Sequence, residues 1–152
     1  MSSWAEVRSA EPDFADRVRR VFDAHRHKTM ATVRQDGSPR ISGIEVEFSD
    51  GDVVLGMMPG SVKLADLRRD PRLALHSGSE DPPKDNPSEW IGDAKIAGRV
   101  VEVPDLERPL ESAHHFRVDI DEVVLIRVGE PADHLVIESW HEGRGYQRRD
   151  RK

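Results

Sequence analysis

Cysteine is absent from the 152-residue sequence. This excludes disulfide frameworks, thiolate zinc sites and cysteine nucleophiles, and it fits a reducing compartment. The sequence also lacks an apolar run long enough to cross a bilayer, and residues 1–11 show no basic segment followed by an apolar core. We therefore expect a cytoplasmic protein without membrane contacts.

The sequence also has no excess of positive charge. There are 23 Lys and Arg against 29 Asp and Glu, which gives a formal net charge of −6. This balance argues against a broad electrostatic surface for nucleic acid. Any anion must then be bound by a local cluster of cations. The seven histidines show no metal-ligand spacing, so we expect no metal site.

Aromatic residues are few, at 5% of the chain, so the core must consist mainly of aliphatic side chains. The length suits one domain, and we assign residues 1–152 to it. Strands are predicted over residues 29–33, 40–48, 53–58, 73–77, 93–103, 122–128 and 134–140. Helices are predicted over residues 12–27, 61–69 and 104–115. Many short strands with few helices favour a closed or nearly closed antiparallel barrel.

Three further features follow from local sequence. Gly98 lies inside a long strand, where a bulge or a close backbone approach is the usual reason. Residues 78–88 form a polar, proline-containing loop that could be a lid or a partner contact. The arginine-rich tail over residues 142–152 is most simply solvated.

Residues 56–63 place glycine, a hydroxyl and a lysine where a strand turns into a helix. Ser61 is the predicted N-cap, and the helix amides together with the Lys63 ammonium could hold a phosphate. The spacing is not that of a Walker A loop. Because a serine cap followed by a surface lysine is also an ordinary helix start, these residues alone leave both interpretations open.

Arg40 and Ser42 begin the second predicted strand, on the same face as the apolar Ile44. The polar end of this face could contact a ligand, or Arg40 could lie in solvent at the open end of the strand. The segments that carry Arg40 and Lys63 should be adjacent. One anion could then contact both.

Residues 31–40, 61–72 and 94–100, in this order and spacing, resemble the pyridoxamine 5'-phosphate oxidase-like superfamily of FMN-binding split barrels. The resemblance extends from about Lys28 to Val103. The segment 140–145 also resembles the Trp-x-x-Gly-x-Gly ending of many members. The implied fold is a mainly β, antiparallel split β-barrel with short helices, forming a homodimer with its cofactor at the interface.

The resemblance also implies roles for individual residues. The strand side of the isoalloxazine ring would be lined by Arg40, Ile41, Ser42 and Gly43. The ring and ribityl chain would lie beside Met57 and Met58, and the phosphate would be held by Ser61, Val62 and Lys63. Trp140 and Arg144 would come from the other subunit. The ring would carry the hydride, so no catalytic side chain is assigned.

The sequence departs from the family pattern at several positions, and these departures make the oxidation of pyridoxamine phosphate itself an unexpected activity. Val62 stands where members that oxidise pyridoxamine phosphate have arginine, Met57 and Met58 stand where they have hydroxyl-bearing residues, and their substrate-phosphate arginine and histidine near the C-terminus are not found. We expect an oxidoreductase that acts on a small conjugated molecule, with FMN as the favoured cofactor. The alternatives are a reductase that uses the deazaflavin coenzyme F-420, or a flavin or haem carrier without turnover. His76 would be the haem ligand, although a single strand histidine is more often structural.

Overall fold

Antiparallel strands dominate the computed structural model, which describes residues 2–104 and 114–152. The strands are β1 (Lys28–Val33), β2 (Pro39–Ile44), β3 (Val46–Ser49), β4 (Asp52–Met57), β5 (Arg72–His76), β6 (Asp93–Val103), β7 (His114–Val128), β8 (Leu135–His141) and β9 (Gly145–Arg151). The helices are α1 (Trp4–Ala10), α2 (Pro12–Asp23) and α3 (Val62–Arg69), with a 3-10 turn at Pro87–Glu89. The predicted mainly β fold with short helices is confirmed.

The strands form one continuous sheet in the order β2-β1-β5-β6-β7-β4-β3, with every pairing antiparallel. The two ends of this order, β2 and β3, are consecutive in the chain and are separated only by Glu45. The sheet must therefore curl until its ends meet at that residue. This arrangement is the split barrel expected from the sequence.

Strand β7 is the longest strand and joins the barrel to a hairpin. One of its edges pairs with β6 over residues 115–126. On its other edge, residues 114–117 pair with β4 and residues 122–128 pair with β8. Strand β9 then pairs with β8 alone. Strands β8 and β9 consequently extend the sheet beyond the barrel.

The register between β6 and β7 shifts between Ala97 and Gly98. A Cβ at Gly98 would overlap the backbone carbonyl oxygen of Asp119. The close backbone approach predicted at Gly98 is thus confirmed, and it explains why no side chain fits there.

The two N-terminal helices cover part of the barrel core. Phe22 of α2 and Trp4 of α1 both make edge-to-face contacts with Phe48 of β3, at centroid distances of 5.9 Å and 4.8 Å. All three rings are buried. The core is otherwise built mostly from aliphatic side chains, as the low aromatic content predicted.

Five predicted elements differ from the structure. The strand predicted over residues 122–128 begins earlier, since β7 starts at His114. The strand predicted over residues 40–48 is divided at Glu45, because its two halves pair with different neighbours across the seam of the barrel. The helix predicted over residues 12–27 ends at Asp23, and α1 precedes it. The supposed tail contains strand β9. The helix predicted over residues 104–115 lies mostly outside the described residues, but its last two positions are strand residues of β7.

Candidate functional site

The start of α3 and the turn before it form a compact structure, here called the α3 corner (residues 58–63). The Ser61 side chain caps the helix, accepting a hydrogen bond from the Leu64 amide at 3.4 Å. The Ser61 amide donates to the carbonyl of Met58 at 3.2 Å. Gly60 has φ +78°, the left-handed conformation that glycine adopts without strain. The predicted N-cap is confirmed.

Lys63 joins the α3 corner to β2. Its Nζ donates to the backbone carbonyl of Gly43 at 2.7 Å. This carbonyl is available because β2 lies at one end of the strand order and, within the part of the chain that the structure describes, pairs only with β1. An ammonium carries three hydrogens, so two remain for a ligand. The two segments that the sequence placed near one another are brought together by this contact.

Arg40 contacts α3 through a buried carboxylate. Its Nε donates to Asp66 at 2.7 Å, and Asp66 also accepts from the Thr32 hydroxyl at 2.8 Å and from Arg69 at 3.1 Å. Burial alone would raise the pKa of Asp66, but these hydrogen bonds outweigh it and hold the pKa below its usual value. The η nitrogens of Arg40 have no hydrogen-bond partner among the described residues. Arg40 is therefore held by Asp66 through Nε, while no described residue accepts from its η nitrogens.

Large exposed apolar side chains lie in the α3 corner and on β2. Among the described residues these are Ile41, Met58 and Val62, at 75%, 71% and 56% exposure. Ile41 is two residues before Gly43 on β2, and the other two flank Ser61. Each of the three is thus close in the sequence to Gly43 or to Lys63, the two residues that the contact joins.

The other candidate residues on β2 and at the end of β4 differ in how far they are exposed. Gly43 is exposed, whereas Ser42 is partly buried on the same strand face as Arg40. The side chain of Met57 is packed in the core at 1% exposure, so only Met58 of the methionine pair faces solvent.

Trp140 and Arg144 lie at the far end of the sheet. Trp140 is a β8 residue with 7% exposure. Arg144 is exposed in the turn before β9, where its amide donates to the His141 carbonyl at 3.1 Å. Among the described residues, no hydrogen bond or ion pair joins either side chain to the α3 corner of the same chain.

Sequence reasoning missed Asp66 together with its partners Thr32 and Arg69. The available signal was an aspartate between the core leucines Leu64 and Leu67 of a short helix. A buried carboxylate requires cationic or hydroxyl partners. Nothing in the sequence names those partners.

A family model described as pyridoxamine 5'-phosphate oxidase matches residues 14–127, well over half of the chain. The match includes β1, β2, the α3 corner and Asp66. The chain belongs to the pyridoxamine 5'-phosphate oxidase family. The matched segment ends before Trp140 and Arg144. No curated protein matches the sequence.

Solved structures share the fold of this pyridoxamine 5'-phosphate oxidase family member at low identity. A pyridoxamine 5'-phosphate oxidase-related, FMN binding protein from Nostoc punctiforme PCC 73102 is 13% identical, with a TM-score of 0.62 over 100% of this chain and 98% of that chain. PhzG from Burkholderia lata 383, in complex with tetrahydrophenazine-1-carboxylic acid, is 13% identical, with a TM-score of 0.62 over 91% and 87%. An F420 reductase is 17% identical, with a TM-score of 0.50 over 66% and 90%.

Within residues 2–104 and 114–152, the structure gives little support for a metal site, a haem ligand or a membrane-spanning helix. No group of three or more histidine and acidic side chains there could hold a metal ion. His76 has Nδ1 2.6 Å from the carbonyl oxygen of Ser77, and its Nε2 lies 4.0 Å from Asp93. None of the described helices combines the length and the apolarity needed to cross a membrane.

The residues at the α3 corner fit a phosphate-bearing flavin. A capped helix start, a hydroxyl and a lysine with free hydrogens suit a phosphate. Three exposed apolar side chains beside them suit the flat body of the same molecule.

Proposed function

We propose that this protein is a homodimeric, FMN-dependent oxidoreductase that acts on a small conjugated molecule. The observation that carries the proposal is that Lys63 contacts the Gly43 carbonyl, while Ile41, Met58 and Val62, the large exposed apolar side chains of the described residues, are near Gly43 or Lys63 in the sequence. Exposed apolar side chains scattered singly need no explanation, but a group next to anion-binding donors marks a ligand site.

The phosphate of FMN would bind at the start of α3. The helix dipole places partial positive charge there, and the first-turn amides point toward an anion. The Ser61 oxygen accepts from Leu64, so its hydroxyl hydrogen can be donated to the phosphate. Lys63 supplies two further N–H groups and the full charge that makes these hydrogen bonds strong.

The ring system would lie against the three exposed apolar side chains. Covering one such side chain contributes about 1.5–3 kcal/mol when burial is complete. A flat ring covers them on one side only, so its other face needs a second surface. The turn that carries Arg144 on a partner copy would supply it. Trp140, with 7% exposure, would contribute only its edge.

The bound flavin would supply hydride transfer, and the chain's own residues would bind and orient it. Lys63 and Ser61 would fix the phosphate end. Asp66 would hold Arg40 in one orientation through the 2.7 Å ion pair, with its η nitrogens free for a polar atom of the ligand. The apolar side chains would exclude water from one face of the ring, and a planar substrate would stack on the other face, between the ring and the turn of the partner copy.

Titration of the purified protein with FMN and with coenzyme F-420, followed by fluorescence, tests the proposal. We expect tight FMN binding. We also expect quinones or nitro compounds to re-oxidise bound reduced FMN faster than they re-oxidise free reduced FMN. Binding of the deazaflavin alone would favour the F-420 reductase instead. FMN binding without faster re-oxidation would favour a carrier, and binding of neither cofactor would contradict both oxidoreductase assignments.

A further inference from the structure

A groove of about 900 Å³ lies on the outer face of β6, β7, β8 and β9. Side chains alternate across these strands. Val123 and Leu125 of β7 are buried in the core, whereas Val124 and Ile126 are partly exposed on the opposite face. The groove is therefore on the solvent side of the sheet, away from Trp140.

The strand register places an apolar strip between Lys95 of β6 on one side and the arginines of β9 on the other. Ile126 of β7 is opposite Ile137 of β8, which is opposite Arg149 of β9. Arg151 is two residues further along β9, and Lys95 of β6 is opposite Val124 on the other side. Strands lie about 4.8 Å apart, so β6 and β9 are separated by roughly 14 Å. That width accommodates a flat ring system between the charges.

The cations of this groove differ from most others in the molecule because they lack partners. Elsewhere arginines bind carboxylates, as in the Arg17–Glu138, Arg68–Glu102 and Arg72–Asp70 pairs. Lys95, Arg144, Arg149 and Arg151, by contrast, make no side-chain hydrogen bond or ion pair with any described residue.

The other charges of the groove are already paired. Glu122 lies 3.0 Å from His141, and Arg148 is bound to Asp150 at 3.3 Å. No carboxylate of the described residues is paired with the other four cations. In a chain with a net charge of −6, their convergence on one groove makes a local anion-attracting surface.

We propose that this groove binds a small molecule with a flat apolar body and an anionic group such as a carboxylate. The apolar strip contacts the body, and the guanidinium groups of Arg149 and Arg151 bind the anion. Arg144 belongs both to this groove and to the turn assigned to the partner's flavin. That this molecule belongs to the substrate class of the enzyme rests on the proposed function. That the groove binds such a molecule does not.

Calorimetric titration with naphthalene-2-carboxylate and naphthalene-2-carboxamide tests the groove, since the two probes share shape and differ in charge. We expect the carboxylate to bind about tenfold more tightly than the carboxamide, as a charge-assisted contact predicts. The double variant Arg149→Gln, Arg151→Gln should remove this difference, and Lys95→Gln should reduce it. The matched control Arg20→Gln, an exposed arginine of α2 without a side-chain partner, should leave it unchanged.

Equal affinity for the two probes, or affinity unchanged in the double variant, would overturn the proposal. Loss of dimer sedimentation in the double variant, without probe binding by the wild type, would show that the groove is a contact between copies and would overturn it as well. An FMN titration in parallel separates the two proposals. Charge-dependent probe binding without FMN binding contradicts only the proposed function, and FMN binding without probe binding contradicts only the groove.

Discussion

Glu138 is a fully buried carboxylate that ties four elements together. Arg17 of α2 binds it with two nitrogens at 2.6 Å and 2.7 Å, Arg127 of β7 at 3.0 Å, and the Tyr146 hydroxyl of β9 at 2.6 Å. Burial alone would raise its pKa, but the hydrogen bonds from Arg17, Tyr146 and Arg127 outweigh this and lower the pKa of Glu138 to about 2. The position of the β8–β9 hairpin depends on this cluster.

The lowered pKa makes stability dependent on pH. Because the pKa is about 2 when folded and 4.5 in the reference state, the stabilisation is complete above about pH 4.5 and is lost as the pH falls toward 2. The full effect is on the order of 3 kcal/mol. Urea unfolding of wild type and Glu138→Gln should show a difference near neutral pH that shrinks below about pH 4. A difference independent of pH would contradict this assignment.

Tyr146 gives an independent spectroscopic readout, since it is the only tyrosine in the chain. Burial and the hydrogen bond to Glu138 raise the pKa of Tyr146 to about 12. We expect the ultraviolet signal of tyrosinate to appear only near that pH in the folded protein. In Glu138→Gln the pKa should fall toward the ordinary value of 10. Ionisation of wild-type Tyr146 near pH 10 would show that the contact is absent.

Lys63 is the residue on which the assigned phosphate site depends most. Lys63→Ala should weaken FMN binding by about one to two decades, because charge-assisted hydrogen bonds contribute roughly 1.5–3 kcal/mol. Folding should change by only a few tenths of a kcal/mol. The control Lys84→Ala, in an exposed loop, should alter neither quantity. Equal FMN affinity in both variants would refute the phosphate assignment. Ser61→Ala is less informative because it also removes a helix cap, which costs about 1 kcal/mol.

Elements with strong local signals were predicted well from the sequence. Strand β6 has the predicted bounds, because its buried residues alternate and Gly98 marks its bulge. Helix α3 begins at its predicted serine cap. Strand β9 was missed because most of its side chains are exposed, so it shows no alternating pattern. The break at Glu45 follows from barrel closure, which no local signal reports.

Gly98→Ala tests the close approach of β6 and β7. The added methyl group would overlap the Asp119 carbonyl oxygen, so the strands must shift. We expect a loss of about 1–3 kcal/mol in the free energy of unfolding, as for other overpacked sites. Gly56→Ala in β4 is the matched control, because its nearest neighbour would be His115 at 3.6 Å, an ordinary contact. Similar melting temperatures for the two variants would contradict the bulge geometry.

At the scale of the whole molecule, sequence resemblance identified the split barrel and located the α3 corner. It could not show that Arg40 is bound by Asp66, since that contact joins residues 26 positions apart, one on β2 and one on α3. Nor could it show that Met57 faces the core while Met58 faces solvent, which depends on where β4 ends. The position of the groove cations on one face could likewise not be predicted without the register of β6 through β9. The chemistry of short segments could be predicted from the sequence, whereas contacts between distant segments could be seen only in the structure.

The central claim is that the flavin binds between two copies of the chain. Sedimentation velocity of the protein with FMN, detected by flavin absorbance, measures binding and assembly together. We expect the flavin to sediment with a species of twice the mass of one chain, with one FMN per chain. The same dimer should form in Lys63→Ala but carry much less flavin. Flavin that sediments with a monomer, or that does not sediment with the protein, would contradict the claim.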